Sequence, residues 1–252
     1  VGPAIAPNRG VEATSLPFVG LLNDDIELEP EWFERLMAEL EADPRLGFVT
    51  PKLMFHDERE VIYQAGYDFY VYGWIVTRGA NEPDRGQCDT PAPSIGAAGT
   101  ASLYRRRAWE EAGGNDEDFH MYGEEVDLGL RMLMRGWRGL YIPEALGYHV
   151  GGGTTGEWGD APDRGLIRNQ LPTVFKDVPG RILVRELPKV VLFHHMVWRN
   201  HRAEGKGAMV LGAYLAALRQ LPRTLAKRRE IMRGRRISDE EFLELTRSDY
   251  PF

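Results

Sequence analysis

Apolar and polar residues alternate in blocks along the first 150 residues of the chain, as they do in strands joined by helices. An apolar run from Phe18 to Leu22 stops abruptly at polar residues, which is typical of a strand buried on both faces. Trp32, Leu36 and Leu40 then recur at helical spacing behind Pro30, a residue that suits the first turn of a helix. These positions predict a strand followed by a helix.

Further strands are predicted by short apolar runs at 47–50, 139–143 and 146–150, and further helices by the patterns at 105–112 and 124–135. Residues 59–85 mix aromatic residues with Gly, Asp and Pro, which predicts irregular strands and a long loop. Their rings would form a minor core, the default, or a sugar-stacking surface. Three helical patterns follow at 166–174, 182–197 and 208–229. We therefore expect an α/β domain over residues 1–160 and a helical extension over residues 161–252.

Composition excludes several classes of protein. The chain has 252 residues, of which 43% are apolar, as is ordinary for a globular protein. Its net charge of −7 argues against a dedicated nucleic-acid binder, although residues 219–236 hold eight Lys and Arg against one Glu. Cys88 is the single cysteine, which excludes an intrachain disulfide framework and a cysteine metal site. No stretch reaches about eighteen consecutive apolar residues, so no membrane span is predicted.

The polar residues after the first predicted strand form a candidate site. Asn23, Asp24 and Asp25 would lie at the carboxyl end of that strand, where open α/β sheets place their ligands. Two adjacent carboxylates there suit a hard divalent cation, which prefers oxygen ligands. The alternative is a solvated turn, since Asn and Asp are ordinary turn residues, and these residues taken alone favour the turn.

Acidic residues open the helix predicted at 124–135. Glu124, Glu125 and Asp127 lie where the helix dipole stabilises a charged carboxylate, which can accept a proton from an incoming hydroxyl. Asp127 also lies one turn before Arg131, so part of this group could be a plain ion pair. His149 precedes a glycine-rich loop at 151–156 and is either a metal ligand or a structural histidine.

Small residues dominate the run at 96–102, which includes Gly99 and Thr100. Such residues let the backbone approach another surface closely, as in a ligand contact or in a tightly packed strand. The run is not a dinucleotide fingerprint, because the spacing and the strand–turn–helix context are absent.

In combination these segments resemble the family-2 glycosyltransferases, and among them the rhamnosyltransferase-like members. Five motifs carry the resemblance and occur in the family's order: Asn8-Arg-Gly-Val-Glu-Ala13, Leu21-Leu-Asn-Asp-Asp25, Gly113-Gly-Asn-Asp-Glu117, Tyr122-Gly-Glu-Glu-Val-Asp-Leu128 with Arg131 and Gly136-Trp137, and Tyr148-His149. Five motifs in order are far more specific than any one of them. The resemblance covers about residues 1–155.

The resemblance implies a GT-A fold, with a mixed, mainly parallel sheet flanked by helices, that binds a nucleotide sugar and a divalent cation, Mg2+ or Mn2+. Asp25 would ligate the cation, with Asp24 as a helper and Asn23 as a neutral stand-in for a carboxylate. His149 would be a further ligand. The implied contacts to donor or acceptor are Asn8, Gly10, Asn23, Asp24, Gly99, Thr100 and Trp137.

The implied reaction is an inverting transfer of a sugar, at family level rhamnose, to a glycan or lipid-linked acceptor of the cell envelope. Glu125 occupies the place of the family's usual catalytic Asp and is the implied base, while Glu124 and Asp127 would position the acceptor. Asn115 stands where the family usually has Phe, a change expected to affect packing rather than chemistry. The family's first strand–helix units are missing, so we expect a domain truncated at its N-terminus, with an exposed sheet edge and without most base-recognition residues.

The tail has two interpretations: a helical extension packed on the catalytic domain, or a surface that meets a membrane. Leu192-Phe193, Met196-Val-Trp198 and the basic run at 219–236 resemble interfacial helices, which would place the enzyme in the cytoplasm at the inner face of the cell membrane. A non-catalytic carbohydrate-binding or scaffolding remnant of a glycosyltransferase is the alternative function. Nucleotidyl transfer would share the metal acids but accounts less well for the acidic helix.

Overall fold

The computed structural model describes residues 2, 4–150 and 160–249, and within them one twisted sheet is packed between helices. The strands are β1 Phe18–Leu22, β2 Ile26–Leu28, β3 Leu46–Phe55, β4 Ile62–Gln64, β5 Tyr67–Phe69, β6 Ile75–Thr77, β7 Ala92–Pro93, β8 Ala101–Arg105 and β9 Arg138–His149. The helices are α1 Ile5–Glu12, α2 Trp32–Ala42, α3 Arg106–Ala112, α4 Glu124–Met134, α5 Asp160–Asp177, α6 Gly180–Ala203, α7 Gly207–Arg233 and α8 Asp239–Leu245. The glycine-rich loop predicted at 151–156 lies outside the described residues.

The main sheet has the strand order β1-β8-β3-β9-β2, with β4 beside β3 and β7 beside β9. A separate hairpin joins β5 to β6. The longest pairing is the parallel one between β3 and β9, and β1, β2 and β8 each run antiparallel to their neighbours. The predicted mixed sheet flanked by helices is confirmed. Among the described strands, however, parallel pairing is confined to β3 with β9.

Strand β1 is found where the apolar run predicted it, but it is covered on one face only. Val19 is buried, whereas Leu22 is 55% exposed and Gly20 is also open to solvent. The expectation of burial on both faces was therefore wrong. An apolar run shows that both faces of a strand tolerate burial. It does not show that another element packs over each of them. Among the described strands β1 pairs only with β8, and it forms one edge of the sheet.

The other elements follow their apolar spacing, with two differences in detail. Trp32, Leu36 and Leu40 are the buried residues of α2, as predicted. The two strands predicted at 139–143 and 146–150 are a single strand, β9, in which the pairing to β3 shifts register beside Pro51. The aromatic-rich stretch contributes Phe69 and other rings to the core, in accordance with the default interpretation.

Helices α5 to α8 share their core with α4 and with the strands before it. The largest apolar cluster unites Val126 and Leu130 of α4 with Val174 of α5, Phe193 of α6 and Ile231 of α7. The tail is thus a helical extension packed on the rest of the domain, the first of its two interpretations. The division near residue 160 stays a prediction, because this core runs across it.

Candidate active site

Asp25 and His149 are brought together by the pairing of β2 with β9. Ile26 lies opposite His149 in that ladder, and the amide of Val150 donates to the carbonyl oxygen of Asp25 over 3.1 Å. The Asp25 Oδ1 and His149 Nε2 atoms are 3.1 Å apart. His149 is 5% exposed and its ring lies edge-on against Tyr63, with 4.6 Å between ring centroids. The two residues predicted as metal ligands therefore form one rigid pair.

This pair fits part of a divalent cation site. A carboxylate oxygen and an imidazole nitrogen are ligands of Mn2+-type cations, and such ions often take their remaining ligands from substrate phosphates and water. Asp25 is partly exposed, so the pair is open to an incoming ligand. Among the described residues no group of three or more His, Cys, Asp or Glu side chains could hold a metal ion.

The end of β1 connects the Asp25 pair to the acidic helix. The amide of Asn23 donates to the carbonyl oxygen of Thr100 over 2.9 Å, which extends the ladder of β1 with β8 by one step. Gly99, the next residue, approaches Glu125 so closely that a Cβ at residue 99 would lie 2.8 Å from Glu125 Oε1. The fold thus assembles Asn23, Thr100, Gly99 and Glu125 into one continuous surface. Asp24 is exposed in the turn between Asn23 and Asp25.

Glu124 and Glu125 form an acidic pair at the start of α4. Glu124 is 5% exposed, whereas Glu125 is partly exposed and faces Gly99. Burial and the adjacent charge of Glu125 raise the pKa of the Glu124 carboxyl, and burial also raises the pKa of Glu125. Hydrogen bonds from the backbone of Tyr122 and Gly123 oppose these increases. Each of the two carboxylates is therefore a stronger base than an exposed carboxylate.

Asp127 belongs to a buried ion cluster and has no exposed surface. Its Oδ2 accepts from Arg131 Nη2 over 2.7 Å, and its Oδ1 contacts the ammonium of Lys176. These two cations hold the pKa of Asp127 below its ordinary value. The ion pair with Arg131 is confirmed. The predicted acceptor-positioning role is not supported, because both carboxylate oxygens face cations inside the protein.

Asn8 ties α1 to the glycine turn that follows α3. Its Oδ1 accepts from the amide of Asn115 over 2.8 Å, and its Nδ2 donates to the carbonyl of Asn115 over 3.0 Å. A Cβ at Gly114 would lie 2.6 Å from the Asn8 Oδ1. These contacts give Asn8 a structural role, and its predicted ligand contact stays a prediction. Gly10 is exposed on α1 and has open space where a Cβ would be.

Trp137 lies beyond the opposite end of α4 from the glutamates. An eleven-residue helix is about 16 Å long, so the two ends cannot contact one small ligand. The Trp137 indole donates to Glu111 Oε2 over 3.2 Å and packs against the apolar cluster around α3. Trp137 thus has a packing role, and its predicted contact with donor or acceptor stays a prediction.

Sequence reasoning missed two residues of α5 that contact the surroundings of the glutamates. Asn169 and Lys176 are both 1% exposed. Lys176 contacts Asp127, and Asn169 bonds to the turn before α4. A Lys and an Asn seven residues apart in an amphipathic pattern are ordinary in sequence. Only their burial, which depends on long-range packing, singles them out.

Comparisons with known proteins identify the same family that the sequence motifs resemble. The family model described as Glycosyl transferase family group 2 matches residues 18–164, which is more than half of the chain. A pre-mycofactocin glycosyltransferase of Mycobacterium tuberculosis (strain ATCC 25618 / H37Rv) is 30% identical over 155 residues, which cover 59% of this chain and 30% of that protein. The N-acetylglucosaminyl-diphospho-decaprenol L-rhamnosyltransferase of the same strain is 42% identical over 59 residues, 23% of this chain and 19% of that protein. The chain thus spans less than a third of the length of these curated relatives.

The fold is also found in a solved structure, that of GalNAc-T7 with UDP, GalNAc and Mn2+. The TM-score is 0.53 at 16% sequence identity, over 69% of this chain and 34% of that chain. This likeness supports the GT-A fold and carries no further inference about ligands. The match of the family model, together with the curated relatives, shows that the chain belongs to glycosyl transferase family group 2.

Proposed function

We propose that this domain transfers a sugar from a nucleotide-diphosphate donor to a hydroxyl of a glycan or lipid-linked acceptor. One observation carries the proposal: the Asp25–His149 pair and Glu125 are joined through Asn23, Thr100 and Gly99 into a single surface at the end of β1. A cation-binding pair and a carboxylate base on one surface are the two groups that such a transfer uses. The two sets of groups would act on opposite sides of the reacting carbon.

Asp25 and His149 would hold the divalent cation, Mg2+ or Mn2+. When bound, the cation would neutralise negative charge on the departing diphosphate. His149 is fixed by β9 and by its contact with Tyr63, so this ligand would already be in place before the donor binds.

Glu125 would act as the base in a single displacement with inversion. The acceptor oxygen forms a bond to the anomeric carbon, the bond from that carbon to the diphosphate oxygen breaks, and the acceptor proton passes to Glu125. Gly99 has no Cβ and so lets the Glu125 carboxylate lie close against the strand end that also carries Thr100 and Asn23. A protonated Glu124 would donate a hydrogen bond in the same pocket and limit the negative charge there.

Rhamnose from dTDP-rhamnose is the proposed donor sugar, on the basis of the rhamnosyltransferase resemblance and the 42% identity to the mycobacterial rhamnosyltransferase over its 59 aligned residues. That relative's name specifies a polyprenyl diphosphate-linked sugar as acceptor. A lipid-linked acceptor of the same class is the corresponding proposal for this chain.

The test is metal-dependent sugar transfer by the full-length protein, with dTDP-rhamnose and a panel of other nucleotide sugars in Mn2+. Glu125→Gln should lower kcat by about 100-fold to 10,000-fold, the range for loss of a general base. Asp25→Ala should weaken the dependence on Mn2+. Glu34→Gln, on the exposed side of α2, is the matched control and should keep full activity.

If both site variants transfer sugar like the wild type, the assigned site is wrong. If the wild type transfers no sugar from any donor but binds glycans, the alternative holds, and the domain is a non-catalytic carbohydrate-binding remnant.

A peripheral contact with the inner face of the cell membrane is part of the proposal, on a surface that overlaps the predicted one at Leu192. Five of the eight cations of the basic run are paired within the protein: Arg223 with Asp118, Lys227 with Asp116 and Asp118, Arg228 with the carbonyls of Phe175 and Val178, Arg235 with Asp239, and Arg236 with Glu111. Phe193 is buried. Large exposed apolar residues instead line α6 and α7, namely Val184, Leu187, Val191, Leu192, Leu211, Leu215, Leu218 and Leu225.

These apolar residues occur in a strongly basic segment. Residues 180–233 hold twelve Lys and Arg against three Glu, in a chain whose net charge is −7. Exposed leucines with surrounding cations suit the surface of an anionic bilayer. None of the described helices combines the length and the hydropathy that a membrane span requires.

Cosedimentation with vesicles of anionic phospholipid tests the contact. The double variant Leu211→Ser/Leu215→Ser should lose most of the bound fraction, whereas Leu16→Ser, at an exposed leucine outside the tail, should keep it. Equal binding by both variants would reject this surface.

A further inference from the structure

A strained turn leads directly into the glutamate pair. His120 and Tyr122 have φ values of 61° and 70°, in the left-handed region that is costly for residues with a side chain, and Gly123 follows at 86°. Gly123 is the N-cap of α4, and the next two residues are Glu124 and Glu125. The conformation of this turn therefore decides where both carboxylates point. Because a left-handed conformation is strained for residues with a side chain, surrounding contacts have to hold the turn in place.

Two neighbouring side chains of α5 supply contacts of this kind, and Asn169 makes most of them. The Nδ2 atom of Asn169 donates to the carbonyl oxygens of Phe119 over 3.1 Å, of Met121 over 2.9 Å and of Tyr122 over 2.7 Å. Asn169 is 1% exposed, so water does not compete for these acceptors. Neighbouring Arg168 donates through Nη2 to the carbonyl oxygen of Asp118 over 2.5 Å. Side chains of the tail thus hydrogen-bond to the carbonyl oxygens of four of the five residues from 118 to 122.

The same face of α5 also holds α4 just after the glutamates. Asn169, Thr173 and Lys176 recur at i, i+4 and i+7, and all three are buried. Thr173 donates to the Asn169 carbonyl over 2.9 Å. Lys176 contacts Asp127, one turn into α4. Contacts from α5 therefore fix the segment on both sides of Glu124 and Glu125.

We propose that Asn169 is a positioning residue for the glutamate pair, and that α5 of the tail is in this way part of the active-site scaffold. The inference rests on the proposed role of Glu125 as base. Its physical link is short: Asn169 holds the carbonyls of the turn, and the backbone of Tyr122 and Gly123 in that turn hydrogen-bonds the two carboxylates. A turn released from Asn169 would loosen those bonds and move Glu125 away from Gly99.

The direction of the resulting pH effect follows from these bonds. Hydrogen bonds to an ionised carboxylate favour the charged form, so losing them raises the pKa of both glutamates. The other titratable groups around the pair are Asp127 on α4, Tyr67 on β5 and Tyr104 on β8, which the substitution of Asn169 leaves in place. The acidic limb of the pH profile of kcat should therefore move to higher pH.

The experiment compares Asn169→Asp and Asn169→Ser with the wild type, and uses Asn200→Ser on the exposed part of α6 as the matched control. Aspartate keeps the shape but removes the amide donors, whereas serine is too short to reach the three carbonyls and adds no buried charge. If Asn169→Asp fails to fold, Asn169→Ser carries the test. Three measurements are made: amide hydrogen exchange of residues 118–126, carboxyl titration by 13C NMR with Glu125→Gln for assignment, and kcat and KM against pH with dTDP-rhamnose and Mn2+.

We expect faster exchange confined to 118–126, glutamate titration at higher pH, and a fall of kcat of about 10-fold to 100-fold with KM changed less, as for a misplaced catalytic group. Asn200→Ser should match the wild type. Unchanged exchange and an unchanged titration in folded Asn169 variants would overturn the inference. A kcat that falls with no movement of the pH profile would also overturn it, since a merely structural role predicts that result. If Glu125→Gln leaves transfer intact, the proposed function fails, whereas the exchange and titration results still decide the role of Asn169.

Discussion

Removal of the Lys176 ammonium should destabilise the domain more than removal of any other lysine. Lys176 is 1% exposed and its Nζ lies 2.5 Å from Asp116 Oδ2, in contact also with Asp127 and 4.6 Å from the centre of the Phe119 ring. Lys176→Met keeps the apolar stem and deletes the charge. Two buried carboxylates then lose a cation that they cannot replace with water.

The loss of folding free energy in Lys176→Met depends on the cations that remain beside Asp116 and Asp127. Removing one partner of a buried ion pair costs about 3–5 kcal/mol. Asp127 keeps Arg131 and Asp116 keeps Lys227, so the lower end, about 3 kcal/mol, is expected. At about 2–4 °C per kcal/mol for a chain of this size, the melting temperature should fall by about 6–12 °C.

Thermal and urea unfolding followed by circular dichroism at neutral pH measure the change. Lys189→Met is the control, because Lys189 pairs with Glu186 at a half-exposed position and should cost no more than about 1 kcal/mol. Adding Asp127→Asn to Lys176→Met should recover part of the loss, since one uncompensated charge is removed. A loss for Lys176→Met no larger than that of the control would refute a desolvated ion cluster between α4 and α5.

Two further predictions address the glutamate pocket and the ion cluster. Gly99→Ala would place a Cβ 2.8 Å from Glu125 Oε1, so kcat for sugar transfer should fall by about 10-fold or more, while Gly212→Ala in the open part of α7 should leave it unchanged; equal activities would show that Glu125 tolerates displacement. Burial and the charge of Asp127 raise the pKa of Asp177 well above 3.8, so the folded protein retains a proton that the unfolded chain releases above that pH. The stability that Asp177 contributes is therefore lost as the pH rises from about 4 towards its raised pKa. Asp177→Asn mimics the protonated form, so the urea midpoint of this variant should increase relative to that of the wild type over the same pH interval. A stability difference between the two proteins that stays constant from about pH 4 to pH 8 would contradict a buried neutral Asp177.

Elements that depend on local spacing could be predicted from the sequence. Apolar periodicity is a local property of the sequence. It predicts the strand β1, the buried stripe of α2 and the boundaries of α4. The pairing of Asp25 with His149 was also anticipated, but from resemblance rather than from spacing, because 124 residues separate them. Strand β9 shows the limit of local reasoning: the apolar runs at 139–143 and 146–150 predicted two strands, yet the pairing to β3 continues through a register shift.

Roles that depend on long-range packing could not be predicted. Asp127 carries the same acidic signature as Glu125 two residues earlier, but α5 covers it and supplies Lys176, whereas Glu125 faces Gly99. Asn8 belongs to a recognised motif, yet its amide is used to hold the Asn115 backbone. In each case the side chain's chemistry was anticipated correctly, and its partner was decided by an element more than 30 residues away.

The site and the tail are consequently hard to separate. The carboxylates that would take part in transfer lie on α4, and α4 is held by Asn169 before its first turn, by Lys176 within that turn, and by the shared apolar cluster along its length. A chain without the tail would expose Val126 and leave Asp127 with Arg131 alone among these cations. The left-handed residues of the 119–123 turn would also lose the contacts that offset their strain. The helical tail therefore supports the position of α4 and of the turn before it. Substitutions along α5 should alter the position of Glu125 even though these residues would not contact the sugar.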